Sequence, residues 1–229
     1  MTSLSVVMPV YNEVGLLADA VRQIHLHLAR NFTDFEILLV ESGSNDGSYE
    51  LCDELAREAS NVCVIHEGAR NGFGSALKLG YRSASKEAVC LVTADIPFPL
   101  QTLEKAVPLL AQYDCILSYR SEDPRALSRR IQSIVYNLLV KTVLGLRVRH
   151  VNSAFKLFRT EMIRALPIES NGWFIDTEVV ARLQQGNVRF TEIPVPLIER
   201  ASGQSSITRG TQWTILREVF RFRFRRSVS

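Results

Sequence analysis

Short apolar runs and amphipathic stretches alternate through the first half of the chain. The runs fall at Leu4–Val10 and at residues 35–40, 62–65, 88–93 and 115–118, each of strand length and rich in β-branched side chains. Between them Leu16, Leu17, Val21, Ile24 and Leu28 recur at helical spacing, followed by Leu51 and Leu55, then Ala76, Leu77 and Tyr81. Strand–helix alternation with short connections predicts right-handed βαβ units: an α/β fold with a mostly parallel sheet flanked by helices on both faces. Ligands of such sheets bind at the carboxyl ends of the strands. Polar residues gather there at 11–13, at 41–46 and at Asp95.

The second half loses this rhythm. Residues 125–144 predict a long amphipathic helix with Ile131, Ile134, Leu138 and Leu139 on its apolar side. A strand at 154–158, a helix at 174–185 and a strand at 188–195, ended by Pro194 and Pro196, come next. A loop at 203–210 then leads into the tail at 211–226. We expect one domain over 1–208 and a basic, aromatic appendage over 209–229.

Composition narrows this picture. With 229 residues, 46% hydrophobic and 22% charged, the chain suits one α/β domain with a full core. Cys52, Cys63, Cys90 and Cys115 lie far apart without a CxxC pair, and the last three sit in apolar runs. They read as small buried hydrophobes in a reducing cytoplasm rather than as disulfides or zinc ligands. No signal peptide and no membrane-spanning run is expected from the pattern. The net charge is +3, but residues 209–226 hold six arginines against Glu218, or +5, leaving the rest at −2. A basic groove for nucleic acid along the body is therefore not expected.

Four strand-end motifs carry candidate chemistry, and each also has a structural explanation. In Met8-Pro-Val-Tyr-Asn-Glu13, Asn12 can cap a helix and Glu13 can favour its dipole. In Glu41-Ser-Gly-Ser-Asn-Asp-Gly-Ser48 the small residues let a turn approach a ligand, and Asp46 can start the next helix. Glu41, an acid at the strand tip, can accept hydrogen bonds from a nucleobase or ribose. Asn71-Gly-Phe-Gly-Ser-Ala-Leu-Lys78 can cradle phosphate on the N–H groups of a helix start, with Lys78 adding charge. Close packing of Gly74 on the sheet is its plainer explanation. In Thr93-Ala-Asp95, Asp95 can ligate a divalent metal that neutralises a diphosphate, or cap a helix.

Taken together and in this order, the four motifs resemble the family-2 glycosyltransferases with the GT-A fold. The likeness is strongest to the branch that uses polyprenyl phosphates, the dolichyl-phosphate mannose synthase group. It continues through Ser118-Tyr-Arg120, Arg129-Arg-Ile-Gln-Ser133, Asn152-Ser-Ala-Phe-Lys-Leu-Phe-Arg159, Phe174-Ile-Asp-Thr-Glu178 and Ile193-Pro-Val-Pro-Leu-Ile-Glu-Arg200. The resemblance implies an inverting glycosyltransferase that moves a sugar from a UDP- or GDP-type donor to a polyprenyl phosphate. It implies that Pro9, Tyr11, Glu13, Glu41 and Asp46 hold the nucleoside, with Gly74, Lys78, Thr93 and Ala94 also at the donor. Asp95 becomes the metal and diphosphate ligand. Asp176 and Glu178, on a helix facing the donor sugar, position it or serve as base. Arg120, Arg129, Ser133 and Arg200 bind the acceptor phosphate, Arg200 also acting in catalysis. Guanidinium forks suit phosphate oxygens, and a phosphate monoester is already an anionic nucleophile.

Three departures from the family pattern alter what is expected. Glu41-Ser42 stands where relatives carry two aspartates, Thr93 stands for the first carboxylate of D-x-D, and position 97 is proline. One negative ligand fewer should weaken Mg²⁺ or Mn²⁺ binding. In the tail, Trp213, Leu216, Phe220 and Phe224 share one helical face flanked by arginines, as in a helix lying on anionic lipid. A helix packed on the domain or a second subunit, or an edge strand, also fits that pattern. The expectation is a cytoplasmic enzyme, peripheral on a membrane, with its oligomeric state open. Its rivals are a transferase acting on a hydroxyl, and a nucleotide-sugar-binding homologue with little turnover.

Overall fold

The computed structural model describes residues 2–198 and 209–225, with side chains of 209–213 and 225 outside the description. Seven strands form one sheet in the order β3-β2-β1-β4-β6-β5-β7. They are β1 (Leu4–Val10), β2 (Phe35–Glu41), β3 (Val62–His66), β4 (Ala88–Leu91), β5 (Cys115–Arg120), β6 (Lys156–Arg159) and β7 (Phe190–Val195). Neighbours pair in parallel except β6, which runs against both β4 and β5. The carboxyl ends of the other six strands thus share one edge with the first residue of β6, Lys156. The chain builds outward from β1 to β3 and returns on the other side at β4, so the switch point lies between β1 and β4.

The sheet is buried on both faces, as its β-branched runs require. Leu4, Val6, Met8 and Val10 of β1 pack with Leu17, Ala20, Val21, Ile24 and Leu28 of α1 (Val14–Asn31). Val7 points the other way, into a second core with Leu77 and Tyr81 of α3 (Phe73–Ser83). α2 (Ser48–Glu58) and α4 (Thr102–Ala106) join the first layer. α5 (Leu127–Leu144), α6 (Thr160–Ala165), α7 (Ile175–Gln185) and α8 (Arg209–Arg225) join the second.

Three expectations change. The apolar side of α5 faces outward: Ile131, Ile134 and Leu138 are 51%, 66% and 67% exposed, with Leu127 and Val135 beside them. The helix buries Asn137, Val140 and Leu144 instead. The tail is the helix expected, but Ile215 and Val219 on one side of it are buried in the second core while Phe220 and Phe224 are exposed. Cys63 is exposed, because β3 is the edge strand; the other three cysteines are buried. Among the described residues no helix is long and apolar enough to cross a membrane.

Candidate active site

The tips of β1 and β2 are laced together by hydrogen bonds. The Asn12 N–H donates to Ser44 Oγ (3.1 Å), and Asn12 Oδ1 accepts from the Asn45 N–H (3.0 Å). Asn12 holds a left-handed φ of 54°, a conformation that asparagine tolerates better than most residues. The Glu13 N–H donates to Ser48 Oγ (2.9 Å). Asp46 accepts from the Val14 N–H at 3.1 Å and from the Ser48 N–H at 3.0 Å, so one carboxylate serves the first turns of α1 and α2. Burial pushes the Asp46 carboxyl up, but these bonds, led by the Ser48 hydroxyl, bring it below its ordinary range. Tyr11 is half-buried here, with the Arg70 guanidinium 4.1 Å over its ring. Pro9, also half-buried, precedes this segment on β1.

Glu41 was expected to meet the nucleobase, yet its side chain has no exposed surface. Oε1 accepts from the Ser44 N–H at 2.5 Å and Oε2 lies 3.2 Å from His66 Nδ1. In this arrangement Glu41 shapes the 42–48 turn from beneath rather than presenting an oxygen to a ligand.

Gly74, Lys78 and Glu178 converge on the loop at 169–173 rather than on an open phosphate site. The N–H groups of Gly74 and Ser75 donate to Asn171 O (2.9 and 3.2 Å), so the start of α3 is already satisfied. A Cβ on Gly74 would sit 2.7 Å from Ser170 O, which only glycine avoids. Lys78 Nζ donates to Glu169 O (3.0 Å) and Asn171 Oδ1 (2.5 Å). Burial and the nearby Arg82 push its ammonium below the usual lysine range. Glu178 is 1% exposed and accepts from the N–H groups of Glu169 and Ser170 and from Arg182 Nε. These residues hold the segment that leads into α7, and Phe73 stacks on Trp173 in the same place (4.3 Å).

The remaining residues meet at the edge where β4, β5 and β6 present their site ends. Just beyond β4, Thr93 Oγ1 donates to Asp95 Oδ1 at 2.5 Å, and Ala94 is buried between them. At the end of β5, Arg120 donates to Ser133 Oγ on α5 and to Asn152 O, both at 2.9 Å. Burial and Arg125 push the Arg120 guanidinium down to about 10, still charged at neutral pH. Arg129 is exposed one turn before Ser133 on the same helix. Arg200 lies outside the described residues. Lys156, buried at the start of β6, donates to Asp176 Oδ1 on α7 at 2.8 Å. Thr177 shares a hydrogen bond with Tyr136 of α5 at 2.9 Å.

The family model described as glycosyl transferase family 2 matches residues 5–166. The chain belongs to this family. Among family-2 relatives it is 31% identical to glycosyltransferase AglD of Haloferax volcanii over 204 residues, 83% of this chain and 32% of that protein. It is 31% identical to an undecaprenyl-phosphate 4-deoxy-4-formamido-L-arabinose transferase of Pseudomonas aeruginosa over 205 residues, 88% of this chain and 59% of the relative. The undecaprenyl-phosphate mannosyltransferase of Micrococcus luteus is 24% identical, with 89% and 87% covered. The chain thus spans about a third to three-fifths of the first two relatives' length. Glucosyl-3-phosphoglycerate synthase of Mycobacterium tuberculosis, a structure in complex with Mn²⁺ and UDP, superposes with a TM-score of 0.73. It is 18% identical, covering 97% of this chain and 80% of that one, and establishes a shared fold, the GT-A arrangement.

His66 and Lys156 were not singled out by sequence, although the structure sets each against a residue that was, His66 against Glu41 and Lys156 against Asp176. His66 closes β3 one position past the apolar run, and Lys156 sits in the strand motif Phe155-Lys-Leu-Phe158. Their partners, Glu41 and Asp176, lie 25 and 20 residues away in sequence, beyond any local pattern.

Proposed function

We propose that this family-2 glycosyltransferase moves a sugar from a UDP- or GDP-type donor to a polyprenyl phosphate, with inversion. The observation that supports this most directly is Arg120: a largely buried guanidinium at the site edge, held by Ser133 and Asn152, and charged at neutral pH. A buried cation with two fixed bonds is organised to meet an anion. The names of two relatives, which specify undecaprenyl-phosphate acceptors, support the same acceptor class.

Placement supports the following roles. The laced tips of β1 and β2, with Tyr11, receive the nucleoside. Arg120, with Arg129, neutralises the acceptor phosphate and aligns its oxygen for single displacement at the anomeric carbon, and Arg200, outside the described residues, joins them on the family resemblance alone. Asp176, fixed by Lys156, orients the sugar from the start of α7.

Asp95 is the residue suited to a divalent metal. Among the described residues no cluster of three His, Cys, Asp or Glu could hold one. One carboxylate fits an ion that takes its remaining ligands from donor phosphates and water, as Mg²⁺ commonly does. Such an ion would stabilise charge on the departing diphosphate. Thr93, whose hydroxyl is spent on Asp95, adds no negative ligand, so weak metal binding follows.

The membrane side of the reading moves from the tail alone to two helices. Leu127, Ile131, Ile134, Val135 and Leu138 of α5 and Phe220 and Phe224 of α8 are exposed, and the two helices pack against each other. An apolar surface on the helix that carries Ser133 suits an acceptor dissolved in lipid. Transfer from a panel of UDP- and GDP-sugars to undecaprenyl phosphate, scored by radiolabelled lipid product, tests the proposal. Transfer only to uncharged hydroxyl acceptors would replace it.

A further inference from the structure

Both ring nitrogens of His66 face carboxylates: Nδ1 lies 3.2 Å from Glu41 Oε2, and Nε2 lies 3.0 Å from Asp53 Oδ1. An ionised carboxylate can only accept, and a neutral imidazole has a single N–H. Neutral His66 would therefore leave one of the two contacts as acceptor against acceptor. An imidazolium satisfies both. Tyr49 stacks on the ring at 4.0 Å and fixes its plane, while Asp53 is nearly half exposed and Glu41 fully buried. The buried charge of Glu41 is thus met from within the protein, by the Ser44 N–H and by His66.

We infer that His66 is a positioning residue for the donor nucleotide, holding as an imidazolium the carboxylate on which the 42–48 turn is built. This rests on the donor site proposed above. The path is continuous: His66 to Glu41, Glu41 to the Ser44 amide, Ser44 Oγ to the Asn12 amide, and Asn12 Oδ1 to the Asn45 amide. Tyr11 is the residue immediately before Asn12. A change of charge on His66 therefore reaches the nucleoside end without His66 touching the ligand.

The groups around the ring set the direction of its titration. Burial pushes His66 down, but the bonds to Asp53 on α2 and Glu41 on β2 outweigh it and raise it above the ordinary histidine value. Cys52, also on α2, is pushed up to about 12 by burial and by Glu41, so it stays a thiol. Glu67, next along the chain, turns to the hydroxyls of Ser42 and Ser75. For Glu41, burial raises the carboxyl, and the bonds from Ser44 and His66 lower it below its usual range. A raised histidine keeps its bonds at and below its unfolded value and loses them as pH climbs through the folded one. The clamp is accordingly intact at and below the ordinary histidine value and opens as pH climbs through the raised one.

The full chain should be titrated with UDP and with GDP by calorimetry from about pH 6 to about pH 9, while NMR follows the His66 ring carbons. The expected result is a His66 midpoint above the free-histidine value, with affinity for the nucleotide that binds falling about tenfold across that midpoint. Asp53→Asn removes one negative charge beside the ring at an exposed position, so it should lower the midpoint and move the fall in affinity with it. His66→Gln should weaken binding and abolish its pH dependence. Normal binding that is flat with pH, or a fall that Asp53→Asn does not move, overturns the inference and leaves the donor site standing. Binding of neither nucleotide at any pH overturns the donor site and the role of His66 together.

Discussion

Lys156 Nζ lies 2.8 Å from Asp176 Oδ1 and 2.8 Å from Ser153 O, and the lysine is nearly enclosed while the aspartate keeps 23% of its side-chain surface. The pair is asymmetric: one partner can recover water if the other is removed, and the other cannot.

That asymmetry predicts unequal losses of stability. Asp176→Asn strands a buried ammonium and should cost on the order of 3 kcal/mol. Lys156→Met leaves a carboxylate that can turn to solvent and should cost about 1 kcal/mol. Urea unfolding of both variants reads the difference directly. Equal losses, or the reverse order, would mean that Lys156 is not the enclosed partner.

The Thr93–Asp95 bond predicts how the enzyme uses metal. Thr93→Asp restores a second carboxylate beside Asp95 and should lower the Mn²⁺ concentration for half-maximal donor binding by about tenfold. Asp95→Ala should abolish turnover while the thermal transition stays close to the wild type. A tight, stoichiometric ion retained by the unmodified enzyme through dialysis would contradict the weak-metal reading.

Arg120 predicts a separation of acceptor from donor. Arg120→Ala should raise the acceptor KM or lower kcat by about ten- to a hundredfold, the equivalent of about 1.5–3 kcal/mol for a charge-assisted bond. Arg120→Lys keeps the charge but cannot reach Ser133 and Asn152 at once, so it should rescue only part of that loss. Donor affinity, measured by calorimetry in the same variants, should hardly move. If it falls in step with acceptor use, Arg120 serves the diphosphate instead.

The parallel half of the fold was legible because β1 to β4 and α1 to α3 are built from local periodicity. What escaped depends on long-range placement. Gly74 and Lys78 carry the features of a phosphate loop, and whether a ligand or the protein fills the space is decided by Asn171, 93 residues beyond Lys78. The family resemblance set Glu178 at the sugar. A buried acid looks alike in sequence whether it meets a ligand or, as here, two backbone amides and Arg182. On α5 the 3.6-residue period identifies an apolar stripe around Ile131, Ile134 and Leu138 but not the side it faces. Asn137 and Val140 occupy the inward side, and an asparagine there reads as surface until its bond to the Val151 amide is seen (2.8 Å).

The outward stripe of α5 carries the last prediction. Five large aliphatic side chains exposed on one helix, beside Phe220 and Phe224 of α8, form a surface that a monomer in water has no reason to keep. The arginines of α8 supply an electrostatic attraction to anionic lipid of about 1 kcal/mol each, which salt screens. The aliphatic and phenyl groups supply a part that salt does not remove. Wild-type protein should co-sediment with phosphatidylglycerol vesicles, weakening but persisting as salt rises. Replacing Ile131, Ile134 and Leu138 with serine should remove the salt-resistant part. Because all three side chains are more than half exposed, folding stability should change by only about 0.5 kcal/mol per site. Deleting the tail is the poorer experiment, since Ile215 and Val219 are buried and their loss would open the second core. Phe220→Ser with Phe224→Ser tests α8 without that damage. Nucleotide binding should be unaffected in every variant, because the tips of β1 and β2 lie on other elements. Vesicle binding that the α5 substitutions leave unchanged, together with a shift from dimer to monomer in sedimentation, would reassign the stripe to a second copy of the chain.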